Sequence, residues 1–152
     1  MKLKLLNYIN KKKAKGVKML AILLDPDKIP LEEVPGICNK TKSMEVDFIF
    51  VGGSFVHQGA TQELVLELKK YIDLPIVIFP GDHSQITPLA DGLLFLSLLS
   101  GRNPEYLIEQ QIKAVPLLQN TQLEVIPTGY ILIDGGHRSS VMKVSNTTPI
   151  PR

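Results

Sequence analysis

The chain has 152 residues, the length of one domain and enough to bury a core without disulfides or metal staples. Its 44% hydrophobic and 21% charged residues exclude a disordered chain, and a formal net charge of only +2 argues against a nucleic-acid partner. The single cysteine, Cys38, excludes an internal disulfide or a multi-cysteine zinc site and fits a reducing cytoplasm, and no apolar run approaches the ~18–20 residues of a membrane helix.

Residues 3–15 read as a short helix, with Leu5, Leu6 and Ile9 as its apolar stripe and Gly16 as the stop. Seven of the 17 basic residues fall in the first 18 positions, with no acid before Asp25. They form either a solvated helix end or a face attracted to an anionic surface, including peripheral contact with a membrane. Residues 19–24 are continuously apolar, as expected of a strand buried on both faces. Residues 31–44 carry Leu31, Val34, Ile37, Cys38 and Thr41 at helical spacing, with a restart at Pro35 as a first helical residue. A second strand is predicted at 47–51. The clearest helix is at 60–72, with Leu64, Leu68 and Tyr71 in line, Val65 and Ile72 beside them, and a Glu67–Lys70 pair outside.

A third strand follows at 74–79, with its proline at the entrance, and only a stub of helix fits between 84 and 90. Residues 92–96 read as a fourth strand. Asn103-Pro104 opens a helix through Ile108, Ile112 and Val115. The fifth strand lies within 124–133, broken near Pro127-Thr128-Gly129 and strongest at 130–133. Strands alternating with helices imply βαβ units and a parallel sheet. There is no Gly-x-Gly-x-x-Gly after the first strand and no Walker loop. Polar or small residues stand instead at successive strand exits: Asp25, Ser54, Gly81 and Ser97. That distribution favours a TIM (β/α)8-barrel, here incomplete with about five parallel strands, over a doubly wound sheet.

Two strand exits carry hard oxygen donors. Asp25 and Asp27 flank Pro26, where a carboxylate either caps its own turn or offers oxygens to a hard cation. Ser54 follows Gly52-Gly53 one βα unit later, as a helix-capping serine or a second ligand. Adjacent parallel strands put Asp25 and Ser54 on one rim, and a carboxylate with a hydroxyl suits Mg²⁺ rather than Zn²⁺. Phe79-Pro80-Gly81-Asp82 is a simple turn or a pocket-shaping loop, and the apolar 93–99 stretch is core or one wall of a groove. His57, His83 and His137 have no metal spacing and read as surface or capping residues; no Ser-His-Asp arrangement is present, and no catalytic residue is assigned.

Five motifs in order resemble the geranylgeranylglyceryl phosphate synthase family, most closely the bacterial branch found in Bacteroidetes. They are Leu-Leu-Asp-Pro-Asp-Lys at 23–28, Phe-Val-Gly-Gly-Ser at 50–54, Ile-Phe-Pro-Gly at 78–81, Leu-Leu-Phe-Leu-Ser-Leu-Leu-Ser-Gly-Arg-Asn-Pro at 93–104, and Ile-Pro-Thr-Gly-Tyr-Ile-Leu-Ile-Asp-Gly-Gly at 126–136. The resemblance runs from about residue 19 to the last residue. It implies a TIM-barrel prenyltransferase that joins geranylgeranyl diphosphate to sn-glycerol 1-phosphate through an ether bond, with Mg²⁺ and release of pyrophosphate. It places the metal on Asp25 and Ser54 and one wall of the prenyl groove at 93–99. The family's glycerol-phosphate loops and its Tyr-Leu-Glu segment follow later strands, so residues 1–152 are expected to be a single N-terminal part holding the metal and diphosphate half of the site. Five open strands also leave unpaired edges, so self-association into a homo-oligomer is expected. A binding-only fragment and another barrel enzyme acting on a phosphorylated metabolite are the alternatives.

Overall fold

The structure, a computed structural model, describes residues 4–152. Five strands, β1 (Ala21–Leu24), β2 (Phe48–Val51), β3 (Ile76–Ile78), β4 (Gly92–Leu98) and β5 (Glu124–Tyr130), form one all-parallel sheet in the order β1-β2-β3-β4-β5. Each strand pairs with its sequence neighbour, the connectivity of consecutive barrel staves. The helices are α1 (Leu5–Ala14), α2 (Val34–Lys42), α3 (Ala60–Leu68), α4 (Gln110–Leu118) and α5 (Ser140–Ser145). A 3-10 turn at Leu31–Glu33 precedes α2, and a π-helical turn at Glu105–Glu109 leads into α4. Pro35 sits in the first turn of α2, and the Asn103 side chain accepts from Glu105 N at 3.1 Å.

The pleat sorts each strand's side chains between two clusters. Ile49, Val51, Ile76, Ile78 and Leu93 face the helices and pack with Val34, Cys38, Leu64, Val65 and Leu68. Fully buried side chains of this size contribute roughly 1.5–3 kcal/mol each. Phe48, Val77 and Ile126 face the concave side with Leu5, joined by Tyr8, Phe50 and Leu94. An aromatic column climbs that side through Tyr8, Phe48, Phe50, Phe79 and Tyr130, with neighbouring ring centroids 5.7, 6.4, 6.0 and 5.7 Å apart.

Helix α1 closes the end of the sheet where the strands begin. The Glu124 carboxylate, at the start of β5, accepts from Leu6 N at 2.9 Å and from Leu5 N, satisfying N–H groups that the helix leaves free. Asp47, just before β2, accepts from Tyr8 Oη at 2.7 Å and from Leu20 N at 2.9 Å. At the other end of α1, Gly16 has φ +67° and Val17 N donates to Lys12 O at 3.0 Å, the glycine stop expected there.

Several expectations need correction. β1 is not buried on both faces: Leu23 is 51% exposed, because β1 is an edge strand and its inner side chain faces an open concavity. Ser97 lies inside β4 rather than at its exit, and its hydroxyl donates to Leu107 O at 2.9 Å. The β5 ladder runs through Pro127-Thr128-Gly129 and stops at Tyr130. Proline is tolerated there because alternate N–H groups of an edge strand point away from the ladder. Tyr71 lies beyond the end of α3 and is exposed, whereas the Glu67–Lys70 pair forms at 2.5 Å. The helix predicted through Ile108, Ile112 and Val115 forms, but those three side chains are 57%, 58% and 47% exposed, and only Ala114 of α4 is buried. Helix α5 has no counterpart in the sequence reading, although Ser139 before it and Asn146 after it carry capping signals: Ser139 Oγ accepts from Met142 N, and Asn146 has φ +50°.

Candidate active site

The strand ends opposite α1 meet in an open cleft with a cavity of about 110 Å³. Leu23, Leu96, Leu98, Tyr106, Tyr130, Val141 and Val144 supply apolar walls, and Gly52, Gly53, Ser54, Pro80 and Gly81 form one lip. Leu96 and Leu98 come from the apolar stretch read as core or groove wall, and they line this cleft.

The register brings the two predicted metal ligands to the same rim. Leu24 of β1 pairs with Val51 of β2, and Gly52 N donates to Leu24 O at 3.1 Å, so Asp25 and the 52–54 loop leave the sheet side by side. The Asp25 carboxylate lies against Gly53: a Cβ at that glycine would stand 3.0 Å from Oδ1 and 3.1 Å from Oδ2. Asp25 Oδ1 accepts from Asp27 N at 3.2 Å, and Oδ2 is held by the Lys28 ammonium. Ser54 Oγ shares a hydrogen bond of 2.7 Å with Ser140 Oγ, which ties the first turn of α5 to this lip. The turn reading of Asp25 is therefore realised alongside a carboxylate that already faces a cation.

Asp27 has a separate task. Its carboxylate accepts from His57 N at 3.1 and 3.2 Å and meets His57 Nδ1 at 2.8 Å, linking the β1 and β2 exit loops. The His57 backbone N–H, followed by the His57 ring and Lys28, holds the Asp27 carboxyl below the usual carboxylate range. His57 is otherwise exposed, His83 donates its backbone N–H to Gln110 Oε1 at 2.7 Å, and His137 is exposed, in keeping with surface and capping roles.

Sequence reasoning missed Gln85, which is 2% exposed and bonds both the N–H and the C=O of Gly53. It also missed the tightness of the glycines around it. A Cβ at Gly52 would meet Phe79 O at 2.0 Å, and one at Gly81 would meet Gly53 O at 2.3 Å. The β2 and β3 exit loops touch backbone to backbone, which is a reason for glycine beyond turn geometry. The α5 segment is clamped over the cleft by Asn103 Nδ2, donating to Val144 O at 2.6 Å, and by Arg102 N, donating to Ser145 O at 2.9 Å.

Among the described residues no cluster of three or more His, Cys, Asp or Glu side chains is placed to hold a metal, and no helix is long and apolar enough to cross a membrane. A magnesium site does not need such a cluster, because Mg²⁺ takes one or two protein oxygens and completes its octahedron with water and substrate phosphates. The Asp25 and Ser54 oxygens fit that donor set. The Lys28 ammonium on Asp25 marks where positive charge is accommodated, and the missing Cβ of Gly53 leaves room for the carboxylate.

The chain is similar to known proteins in sequence and in fold. Over 140 residues the chain is 54% identical to a geranylgeranylglyceryl phosphate synthase of Flavobacterium johnsoniae, covering 92% of this chain and 58% of that protein. It is 47% identical over 148 residues to the synthase of Chitinophaga pinensis, covering 97% and 59% respectively. The chain thus spans about three-fifths of the length of these curated relatives. The crystal structure of (S)-3-O-geranylgeranylglyceryl phosphate synthase from Thermoplasma acidophilum, in complex with substrate sn-glycerol-1-phosphate, superposes with a TM-score of 0.89 at 33% identity. The match covers 98% of this chain and 60% of that one. The corresponding protein of Thermoplasma volcanium gives 0.88 at 28% identity, covering 98% and 59%. The PcrB family profile matches residues 11–152, through every strand and the whole lip of the cleft, and the chain belongs to the PcrB family.

Proposed function

We propose that residues 1–152 form the diphosphate and prenyl half of a geranylgeranylglyceryl phosphate synthase, working with Mg²⁺ in the cytoplasm. The observation that carries the reading is the joining of an apolar cleft to a lip bearing a carboxylate and a hydroxyl beside close-packed glycine loops. Likeness to proteins named for this activity supports it, as does the Thermoplasma acidophilum enzyme bound to sn-glycerol-1-phosphate.

In the proposed reaction the 3-hydroxyl oxygen of sn-glycerol 1-phosphate bonds to C1 of geranylgeranyl diphosphate. The C1–O bond to diphosphate breaks, and pyrophosphate and the hydroxyl proton depart. Bound Mg²⁺ supplies neutralisation of charge on the leaving diphosphate. Asp25 and Ser54 hold the cation, and Lys28, whose side chain is 77% exposed, is free to swing away from Asp25. Leu23, Leu96, Leu98, Val141 and Val144 surround the prenyl chain and exclude water from its reactive end. The α1 lysines are proposed to give peripheral contact with anionic lipid, and the protein is proposed to work as a homo-oligomer.

The test is calorimetric binding of geranylgeranyl diphosphate to the 152-residue chain with Mg²⁺ and with EDTA. Binding that requires Mg²⁺ and resists competition by simple sugar phosphates is expected. Preference for a sugar phosphate would overturn the prenyl reading.

A further inference from the structure

Gln85 is a buried amide with both ends committed to one loop residue. Its Nε2 donates to Gly53 O at 2.8 Å and its Oε1 accepts from Gly53 N at 3.3 Å. The side chain reaches that peptide because the 3-10 turn at His83–Gln85 is itself pinned. The Asp82 carboxylate accepts from Ser84 N and Ser84 Oγ at 2.7 and 2.6 Å, and Gln110 Oε1 accepts from His83 N at 2.7 Å. Gly53 in turn borders the Asp25 carboxylate and precedes Ser54.

We infer that Gln85 is a positioning residue of the diphosphate site, holding the Gly53 peptide so that the Asp25 carboxylate and the Ser54 hydroxyl face one cation. The inference rests on the magnesium reading above and extends it to the β3–β4 connection, which that reading does not otherwise use. The amide suits the task on chemical grounds. A hydrocarbon would leave the N–H and C=O of Gly53 without partners in a partly buried place. A carboxylate would accept from the N–H but set its charge against the carbonyl oxygen. A glutamine satisfies both groups from one side chain.

The test uses the 152-residue chain with Mg²⁺ and inorganic pyrophosphate, titrated by calorimetry, together with amide hydrogen exchange read by NMR. Gln85→Met and Gln85→Glu are compared with Thr87→Val. Thr87 is 1% exposed, and its hydroxyl reaches Gln62 at 3.3 Å rather than Gly53. Both Gln85 variants are expected to weaken Mg²⁺–pyrophosphate binding by about 10–100-fold, the usual cost of losing a group that orients a metal ligand. Both should also speed exchange at the Gly53 and Ser54 amides. Thr87→Val should lower Tm and change neither readout. Unchanged affinity in Gln85→Met, with binding intact in the parent chain, overturns the inference. Absence of binding in the parent chain itself defeats the magnesium reading. Gln85 is then judged by exchange alone: faster exchange at Gly53 and Ser54 upholds its hold on the loop, and unchanged exchange overturns it. Gln85→Glu, which keeps the acceptor for Gly53 N–H, decides the matter should Gln85→Met fail to fold.

Discussion

Asp25 and Ser54, the two residues proposed to hold one ion, are expected to contribute differently. Asp25→Ala removes the only carboxylate proposed for the cation and is expected to abolish Mg²⁺-dependent pyrophosphate binding. Ser54→Ala removes a neutral oxygen that water replaces, so calorimetry should show a smaller loss. Equal affinities for Asp25→Ala and the parent chain would remove Asp25 from the site. Gly52 carries a different constraint. With Phe79 O only 2.0 Å from where a Cβ would stand, Gly52→Ala must push two backbones apart. It should cost roughly 1–3 kcal/mol or more, seen as a fall in Tm, because backbone cannot retreat as a flexible side chain can. The Gly-Gly-Ser run at 52–54 was legible as a special turn. That its partner is the carbonyl of a residue 27 positions on was not, because close approach is a property of folded loops and not of composition.

At the scale of elements, α1 shows how a marginal helix is secured from outside. A ten-residue helix is barely stable alone, and this one has no acid in its first turn. Glu124, from the start of β5, supplies the missing charge from across the fold, and Asp47, just before β2, holds the helix through the Tyr8 hydroxyl. The Tyr8 hydroxyl, followed by the Leu20 N–H and Lys12, holds the Asp47 carboxyl below its ordinary value. A carboxylate lowered in the folded state stabilises above its unfolded pKa, and this contribution disappears as pH falls through the folded one. Thermal melts between about pH 6 and pH 2 should show this acid loss. Tyr8→Phe should shrink the slope attributable to Asp47; an unchanged slope would detach Asp47 from α1 docking. The helix and its glycine stop were legible from the Leu5, Leu6 and Ile9 stripe and from Gly16. Helix α5 was not, because six residues hold too few turns to show a period. Its place is set by long-range bonds to Asn103, Arg102 and Ser54.

At the scale of the molecule, among the described residues the sheet ends in two edge strands, β1 and β5, each paired on one side. Beside β5 the groove against α4 is lined by Leu99, Ile108, Ile112 and Pro127 among others, and Ile112, Val115 and Leu117 of α4 are exposed. A row of free backbone groups next to so much apolar surface favours association. The isolated chain is therefore expected to self-associate in light scattering. Ile112→Lys together with Val115→Lys should shift it toward monomer without loss of helicity. A sharp monomer peak for the parent chain across a concentration series would contradict this.

The alternation of strand and helix, the five parallel strands, the exits bearing Asp25 and Ser54, and the family resemblance all stand in the sequence, because periodicity, punctuation and motif order are local properties of a chain. What only the tertiary structure decided is which apolar faces are covered and which loops touch. The stripe of α4 is a burial pattern in sequence and an exposed surface in the fold, since burial depends on the neighbour and not on the stripe. Ser97 reads as a rim residue until the ladder shows β4 continuing to Leu98. Gln85 carries no signal in a stretch that reads as a stub, yet it bonds both the N–H and the C=O of Gly53, the residue beside Asp25 and before Ser54. Its role arises from two loops, 32 residues apart in the chain, meeting at one strand end.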